Sequence, residues 1–283
     1  SPLLIDFSHY AGPLIQPLLL LRYIFISIAL VLILLFFSHK RLLKSFIKSS
    51  RLLTSAHFVL MTFIGIIISG HLLTIRSFQP DLFSIFSNPL YLQLFAGNIG
   101  MLIISLLTIF FIWQTTIMIN HVYDANIDRV DNKERLIPLK LLKSSQVKKI
   151  AMIYALISIG LGLLLGVWSL LLVLIGLIFG FIYSVPPIRI RDSIFSTTII
   201  GIGSSIAFFL GYVTPSYVKA IHGENVGMVM RIYPEITTES LFIGLLIFVA
   251  LSIGPIIKDY KDYEGDKKAG IKNIFTIYGL EKG

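Results

Sequence analysis

The sequence predicts an all-α fold, a polytopic transmembrane helical bundle, on three grounds. Apolar residues make up 55% of its 283 positions and mean hydropathy is +0.86. Charged residues are only 14%, against roughly 25% in soluble domains. A water-facing surface around such a composition has too few charges to cover it, which excludes an ordinary soluble enzyme. The abundance of Ile, Leu and Phe excludes intrinsic disorder. Second, seven segments meet or nearly meet the span requirement of about 20 apolar residues at a rise of ~1.5 Å each. Third, the charges alternate from loop to loop in step with those segments. Cysteine is absent, so disulfides, thiolate metal sites and cysteine nucleophiles are excluded too.

In chain order the first predicted span is Leu18–Phe37. It has no basic start and no small-residue cleavage site, so it reads as a retained span rather than a signal peptide. Arg22 lies near its outer end, where its stem snorkels. The segment His39–Arg51 sets Lys40, Arg41, Lys44, Lys48 and Arg51 among Leu, Phe and Ile, the pattern of an amphipathic interfacial stretch. The second and third spans are Leu52–Ile75 and Leu92–Ile119. The fourth and fifth, Ile150–Val167 and Trp168–Tyr183, meet at Gly166 and Val167 and read as a tight hairpin. Pro186 and Pro187 stop the fifth, since proline lacks the backbone donor and disfavours helix before it. Ser193–Val213 and Leu241–Ile257 complete the set. Gly160, Gly162, Gly166, Gly201 and Gly203 suit close helix packing, and His57 and His71 read as packing or interfacial residues.

Charge sorting orients the bundle. Of the 24 Lys and Arg, 20 lie in loops 38–51, 120–149 and 184–192 and in the segment 258–283, whereas the alternate loops hold only Arg76, Lys219 and Arg231. By the positive-inside rule the basic loops are cytoplasmic. The net charge of +9 therefore reports orientation, and no nucleic-acid partner is expected. Ten of the 15 acids share the basic side, although acids contribute little to topology.

Those acids form two clusters at helix ends. Asn120, Asp124 and Asp128 are spaced i, i+4, i+8 at the end of the third span, and Asp259, Asp262 and Asp266 are spaced i, i+3, i+7 at the end of the seventh. Each spacing falls on one helical face. Like charges stacked on a face repel unless a cation lies between them. Mg²⁺ takes one or two carboxylates and completes its shell with water and phosphate oxygens, so two such faces suit a diphosphate carried by something the bilayer holds. Between them lies Tyr183-Ser184-Val-Pro186-Pro187-Ile-Arg189-Ile-Arg191, whose arginines suit forked grip of phosphate.

Together these segments resemble the UbiA superfamily of intramembrane prenyltransferases. The family's first motif, N-D-x-x-D-x-x-x-D and then R-P-(I/L), is matched by Asn120, Asp124 and Asp128 and then Arg135-Leu136-Ile137-Pro138. Its middle signature, Y-S-x-P-P-x-R-x-K, is matched at Tyr183, Ser184, Pro186, Pro187 and Arg189. Its second acidic motif is matched at Lys258, Asp259, Asp262, Glu264, Gly265, Asp266 and Gly270. The chain departs from the pattern at His121 (commonly Asp), Leu136 (Pro) and Arg191 (Lys, charge kept). Leu18–Phe37 reads as an added span. The family core has nine helices, so this chain, with seven visible spans, is expected to be incomplete at its C-terminal end. Residues 1–44 are then an extra helix with a basic interfacial segment, and 45–283 a UbiA-like domain.

The resemblance implies Mg²⁺-dependent transfer of a prenyl group from an allylic prenyl diphosphate to an aromatic or prenylated glycerol phosphate acceptor, with membrane lipid as surroundings. Metal would be held by Asp124, Asp128, Asp259, Asp262 and Asp266. Asn120, Arg135, Ser184, Arg189, Arg191 and Lys258 would bind substrate, and Tyr183, Asp124 and Asp262 would carry the catalytic roles, all on the cytoplasmic side of the cell membrane. The rival classes are a membrane transporter and a non-catalytic membrane protein that retains the Asp motifs. A transporter reading lacks ionisable groups at mid-membrane depth, where relays are expected.

Overall fold

Apolar runs become helices here. The computed structural model describes residues 40–75, 89–131, 133–221, 236–261, 263 and 274–280, which are helices joined by short turns. The elements are α1 (Lys40–Ser49), α2 (Leu52–Ile75), α3 (Pro89–Tyr123), α4 (Ala125–Asp131), α5 (Ser144–Leu164), α6 (Val167–Ser184), α7 (Ser196–Ile221), α8 (Thr238–Lys261) and α9 (Ile274–Tyr278), with a 3₁₀ turn at Ile190–Asp192. Among the described residues, five segments are long and apolar enough to cross a bilayer: Leu52–Ser69, Gly100–Tyr123, Ser144–Leu164, Val167–Ser184 and Ser196–Thr214. The apolar part of α8, Thr238–Gly254, is shorter. The expected first span, Leu18–Phe37, lies outside the described residues.

Boundaries differ from the hydropathy reading for local reasons. The third helix runs past Ile119 to Tyr123, because polar groups from other segments receive the side chains of its last turn. The fourth begins six residues early, where the Gln146 side chain accepts the Lys143 amide at 2.8 Å. The α5–α6 hairpin turns at Gly166, whose φ of +99° is a left-handed conformation that costs a side chain dearly. α1 runs across residues 44 and 45 without a break, with Lys40, Arg41, Lys44 and Lys48 exposed and Ser45 and Ser49 buried.

Packing is inside-out relative to a soluble protein. Leu156, Leu163, Leu171, Ile178, Phe242 and Leu245 face outward, while Thr62, Thr108, Gln114 and Ser158 are buried. That distribution suits lipid surroundings, where apolar faces meet tails and small or polar groups join helices. The α2–α7 seam shows it best. His57 Nε2 lies 3.1 Å from Ser204 Oγ, and Thr62 Oγ1 donates to the Ala207 carbonyl at 2.9 Å. A Cβ on Gly65 would overlap the Phe208 carbonyl, and one on Gly211 the Thr62 carbonyl. Gly160, by contrast, meets nothing; His71 has no described side chain.

The helix directions gather one set of ends. α3 runs antiparallel to α2, since Gln114 Nε2 donates to Ser50 O and Ser55 Oγ, each at 2.9 Å. α8 runs antiparallel to α7, since Ser205 donates to Gly244 O at 2.9 Å and Gly201 abuts Ser252. The starts of α2 and α7 therefore share one end of the bundle with the ends of α3, α6 and α8. Phe58, Ile109, Ile112, Val173, Ala207 and Leu210 pack as the core between α2, α3, α6 and α7. Ile117, Met118, Ile137, Val147 and Ala151 form a second cluster nearer that end. Overpacking a core costs about 1–3 kcal/mol, and the Gly211 neighbour is backbone that cannot rotate away. Gly211→Val should therefore lower the detergent-phase melting temperature clearly, whereas Gly160→Val should leave it nearly unchanged.

Candidate active site

The first acidic row survives the end of the membrane helix intact. The Asp124 amide donates to Asn120 O and the Asp128 amide to Asp124 O, both at 2.8 Å. The helical path thus continues through the turn at Asp124 into α4, and all three side chains keep one face. They are 6%, 1% and 2% exposed. Such burial of two carboxylates demands compensating charge.

One source of that charge is the loop after α6. Val185 leaves the helix in an extended conformation, the Pro186–Pro187 bond is cis, and Arg189 is left-handed at φ 34°. The 3₁₀ turn Ile190–Asp192 follows. Arg189 Nη2 donates to Asp124 Oδ1 at 2.9 Å, and its Nε pairs with Asp192 Oδ2 at 2.7 Å. Arg191 Nη1 forms an ion pair with Asp124 Oδ2 and lies 3.3 Å from Asn120 Oδ1. Ser184 Oγ is 3.5 Å from the same oxygen, at the long limit of a hydrogen bond.

The second source lies on the opposite flank. Arg135 Nη1 pairs with Asp128 Oδ1; Leu136 and Ile137, both buried, anchor its loop. His121 bridges outward: Nε2 is 2.8 Å from the Ser49 carbonyl and Nδ1 is 3.5 Å from Asp128 Oδ2. A carbonyl only accepts, so Nε2 is the donor in that contact. α1 is fastened to the same loop by Ser45 Oγ donating to Glu134 O at 2.8 Å and by a Lys48–Glu134 ion pair. Burial pushes the Asp128 carboxyl up, but hydrogen bonds and charge from His121 and Arg135 outweigh it and hold the group below the usual carboxylate range. At the α1–α2 junction Arg51 is left-handed at φ 44° and partly buried. Burial, then the charges of Arg135 and Arg191, lower its pKa; Asp128 and Tyr183 act the other way.

Below this charged rim lies a mostly apolar cleft lined by Phe58, Trp113, Thr116, Phe179, Tyr183 and Ile206, among others. Phe58 and Trp113 stack with centroids 3.8 Å apart. Tyr183 lies at the boundary, one residue from Ser184 and lining the cleft.

The donor chemistry of the first row suits a hard divalent cation: amide and carboxylate oxygens on one face, with no sulfur. Among the described residues no three His, Cys, Asp or Glu side chains converge as a metal cluster. The backbone of α8 ends at Lys261 on the same side of the bundle, and Lys258 and Asp259 belong to its last turns. Their side chains, with Asp262, Glu264 and Asp266, lie outside the described residues.

A family model, the UbiA prenyltransferase family, matches residues 82–283. The chain belongs to that family. Among relatives of this UbiA protein, the digeranylgeranylglyceryl phosphate synthase of Saccharolobus solfataricus is 25% identical over 165 residues, 58% of this chain and 52% of that protein. The chlorophyll synthase of Oryza sativa subsp. japonica is 29% identical over 172 residues, 58% of this chain and 41% of its own. The chain thus spans about half the length of the curated relatives it matches. Among solved structures, a UbiA homologue from Archaeoglobus fulgidus bound to DMAPP and Mg²⁺ aligns with a TM-score of 0.60 at 18% identity, covering 84% of this chain and 70% of that one. This likeness establishes the shared fold of a multi-pass membrane protein.

Sequence reading located Asn120, Asp124, Asp128, Arg135, Tyr183, Ser184, Arg189 and Arg191, and the fold brings them together. It treated His121 only as a missing acid and gave Arg51 little weight. Both depend on the docking of α1, which no spacing rule encodes; the one available signal was Gln114, an amide inside an apolar run that ties α3 to Ser50. Removing one partner of a buried pair costs more than removing both. Arg135→Gln should destabilise the protein by about 3 kcal/mol in thermal unfolding, and the double variant Arg135→Gln/Asp128→Asn should recover much of that loss.

Proposed function

We propose that this UbiA-family protein transfers a prenyl group from an allylic prenyl diphosphate to an acceptor nucleophile at the cytoplasmic face of the cell membrane, with Mg²⁺. The observation that carries the reading is one juxtaposition: a rim of Asn120, Asp124, Asp128, Arg135, Arg189 and Arg191 opens directly into an apolar, aromatic-lined cleft. A prenyl diphosphate has the same division, anionic at one end and hydrocarbon at the other. The relatives, a digeranylgeranylglyceryl phosphate synthase and a chlorophyll synthase, agree with prenyl-type chemistry.

Asp124 and Asp128, with Asp259, Asp262 and Asp266 of the second acidic motif, would hold Mg²⁺, and Asn120 beside them would bind substrate. The ion supplies charge neutralisation to a departing diphosphate. Arg189 and Arg191 hold phosphate oxygens in exchange for the Asp124 carboxylate, their forked donors matching that geometry. Arg135 keeps Asp128 in place, and Ser184 orients the Asn120 amide. Lys258, matched in the second acidic motif, is assigned to bind substrate. The C–O bond breaks with its electron pair leaving on diphosphate. The allylic carbon then takes an electron pair from the acceptor, whose proton departs at the polar rim. Tyr183 presents a π face to the cationic carbon, and the walls around Phe58, Trp113 and Phe179 exclude water that would otherwise quench it.

Asp124→Asn and Asp262→Asn should each abolish Mg²⁺-dependent prenyl transfer, read by product mass, while the purified variants keep their size-exclusion profile. Full activity in either would remove that residue from the metal assignment. Tyr183→Ala should lower kcat by about 10- to 100-fold, the size of ~1.5–3 kcal/mol of lost transition-state stabilisation, with donor KM nearly unchanged. A collapse of donor KM instead would make Tyr183 a binding residue.

A further inference from the structure

The two buried carboxylates differ in what holds them. Both oxygens of Asp124 meet arginines of the α6–α7 loop. Both oxygens of Asp128 lead instead to α1. Oδ1 pairs with Arg135, and the neighbouring Glu134 is fastened to α1 twice. Its carbonyl accepts from Ser45 Oγ at 2.8 Å, and its carboxylate pairs with Lys48. Oδ2 lies 3.5 Å from His121 Nδ1. Nε2 of the same buried ring donates to the carbonyl of Ser49, the last residue of α1, at 2.8 Å. An aspartate at position 121 would set a carboxylate against a carbonyl and a second carboxylate, three acceptors with no donor. Histidine spans the gap because it carries a nitrogen on each side.

α1 is held by these polar contacts more than by packing. Its buried side chains are Ser45 and Ser49. Among the described residues none of α1 belongs to the buried apolar core, and Ile47 is 49% exposed. Lys48 and Glu134 are exposed, so their ion pair contributes little by itself. The other tether is at the elbow after α1, where Ser50 O accepts from Gln114 Nε2 at 2.9 Å, about two turns before His121 on α3. A segment tied down by a few hydrogen bonds opens at much lower cost than an apolar bundle.

We propose that His121 is a positioning residue for Asp128, and that docking of α1, carried to Asp128 by His121 and by Glu134–Arg135, sets how well the site holds its divalent cation. This rests on the Mg²⁺ assignment within the prenyl-transfer reading. The reason is orientation. A carboxylate turns about its last bond, and groups that fix a ligand's direction are worth about 10- to 100-fold in metal affinity. Asp128 takes its direction from α1, whereas Asp124 takes its own from the α6–α7 loop.

The test uses the full chain in nanodiscs. Mn²⁺, a paramagnetic substitute for Mg²⁺, is titrated without donor and read by electron paramagnetic resonance. Prenyl transfer, read by product mass, is followed as Mg²⁺ is varied. Ser45→Ala/Lys48→Ala frees α1 from the loop without touching the rim, and His121→Asn drops the Ser49 contact. Each should weaken Mn²⁺ binding by about 10-fold. Each should raise the Mg²⁺ requirement of transfer by a similar factor and leave kcat at saturating Mg²⁺ nearly unchanged. The sequence has no cysteine, so Ser45→Ala/Lys48→Cys/Glu134→Cys can be joined at one place by a short bismaleimide. The unjoined form should bind Mn²⁺ weakly and the joined form as wild type does, a rescue that a damaged fold would not show. Wild-type Mn²⁺ affinity in either of the first two variants overturns the proposal. So does a fall in kcat with an unchanged Mg²⁺ requirement, or a tether that restores nothing. If His121→Asn does not fold, the α1 variants, which lie outside the membrane spans, decide alone. If wild type transfers no prenyl group from any donor, the prenyl-transfer reading fails, and the Mn²⁺ titrations still decide this one. Wild type that binds no Mn²⁺ overturns it.

Discussion

Two carboxylates removed almost wholly from water, Asp124 and Asp128, are the constraint around which the polar end of this bundle is arranged. Desolvating an ion costs several kcal/mol even after relaxation. One guanidinium at about 3 Å returns about 6 kcal/mol at an effective dielectric near 20, so a single partner roughly breaks even. Asp124 has two, Arg189 and Arg191. Asp128 has Arg135 and the His121 ring. The margin therefore comes from the second partner in each case, and the chain must deliver four groups from three segments to secure it.

That requirement explains the connecting structure. The left-handed Arg189 and the short turn after it double the chain back so that both arginines reach α3. Leu136 and Ile137 are buried so that Arg135 stays against Asp128. α1 clamps the same loop through Ser45 and Lys48, and its last carbonyl accepts from His121 Nε2. A basic helix that composition marks only as interfacial is thus a structural wall of the site.

The spans and the first acidic row were legible because each depends on local spacing: helix period and apolar length suffice for α2, α3, α5, α6 and α7. Pairings between segments were not. His121 reads in isolation as the loss of an acid, yet its nitrogens face a carbonyl 72 residues earlier in sequence and a carboxylate seven residues later. Helix ends moved for the same reason, since Asn120 to Tyr123 are helical while partners outside α3 hold Asn120 and His121. Glycine roles divided by context as well: Gly211 and Gly65 admit backbone of a neighbouring helix, whereas Gly160, identical in sequence terms, faces open space.

Placing this cluster at helix ends instead of mid-bundle follows from the two solvents the chain spans. At the bilayer centre an ionised group has no water to draw on and only backbone-satisfied helices around it. At the interface, the arginine stems cross the apolar boundary while their heads remain hydrated on one side. The cleft can then stay dry a few turns away, with Phe58 stacked on Trp113 and Gly180 set so tightly on Thr116 that a methyl group there would overlap it. A site built this way holds strong charge and low dielectric within one helix turn of each other, and Tyr183 sits on the dividing line. The prenyl transfer we propose, in which departure of an anionic group leaves an allylic cation, would use that adjacency, because the field that stabilises the departing group weakens as soon as water enters. The sparse charges of this chain are effective because they gather at one rim, against a mostly apolar cleft.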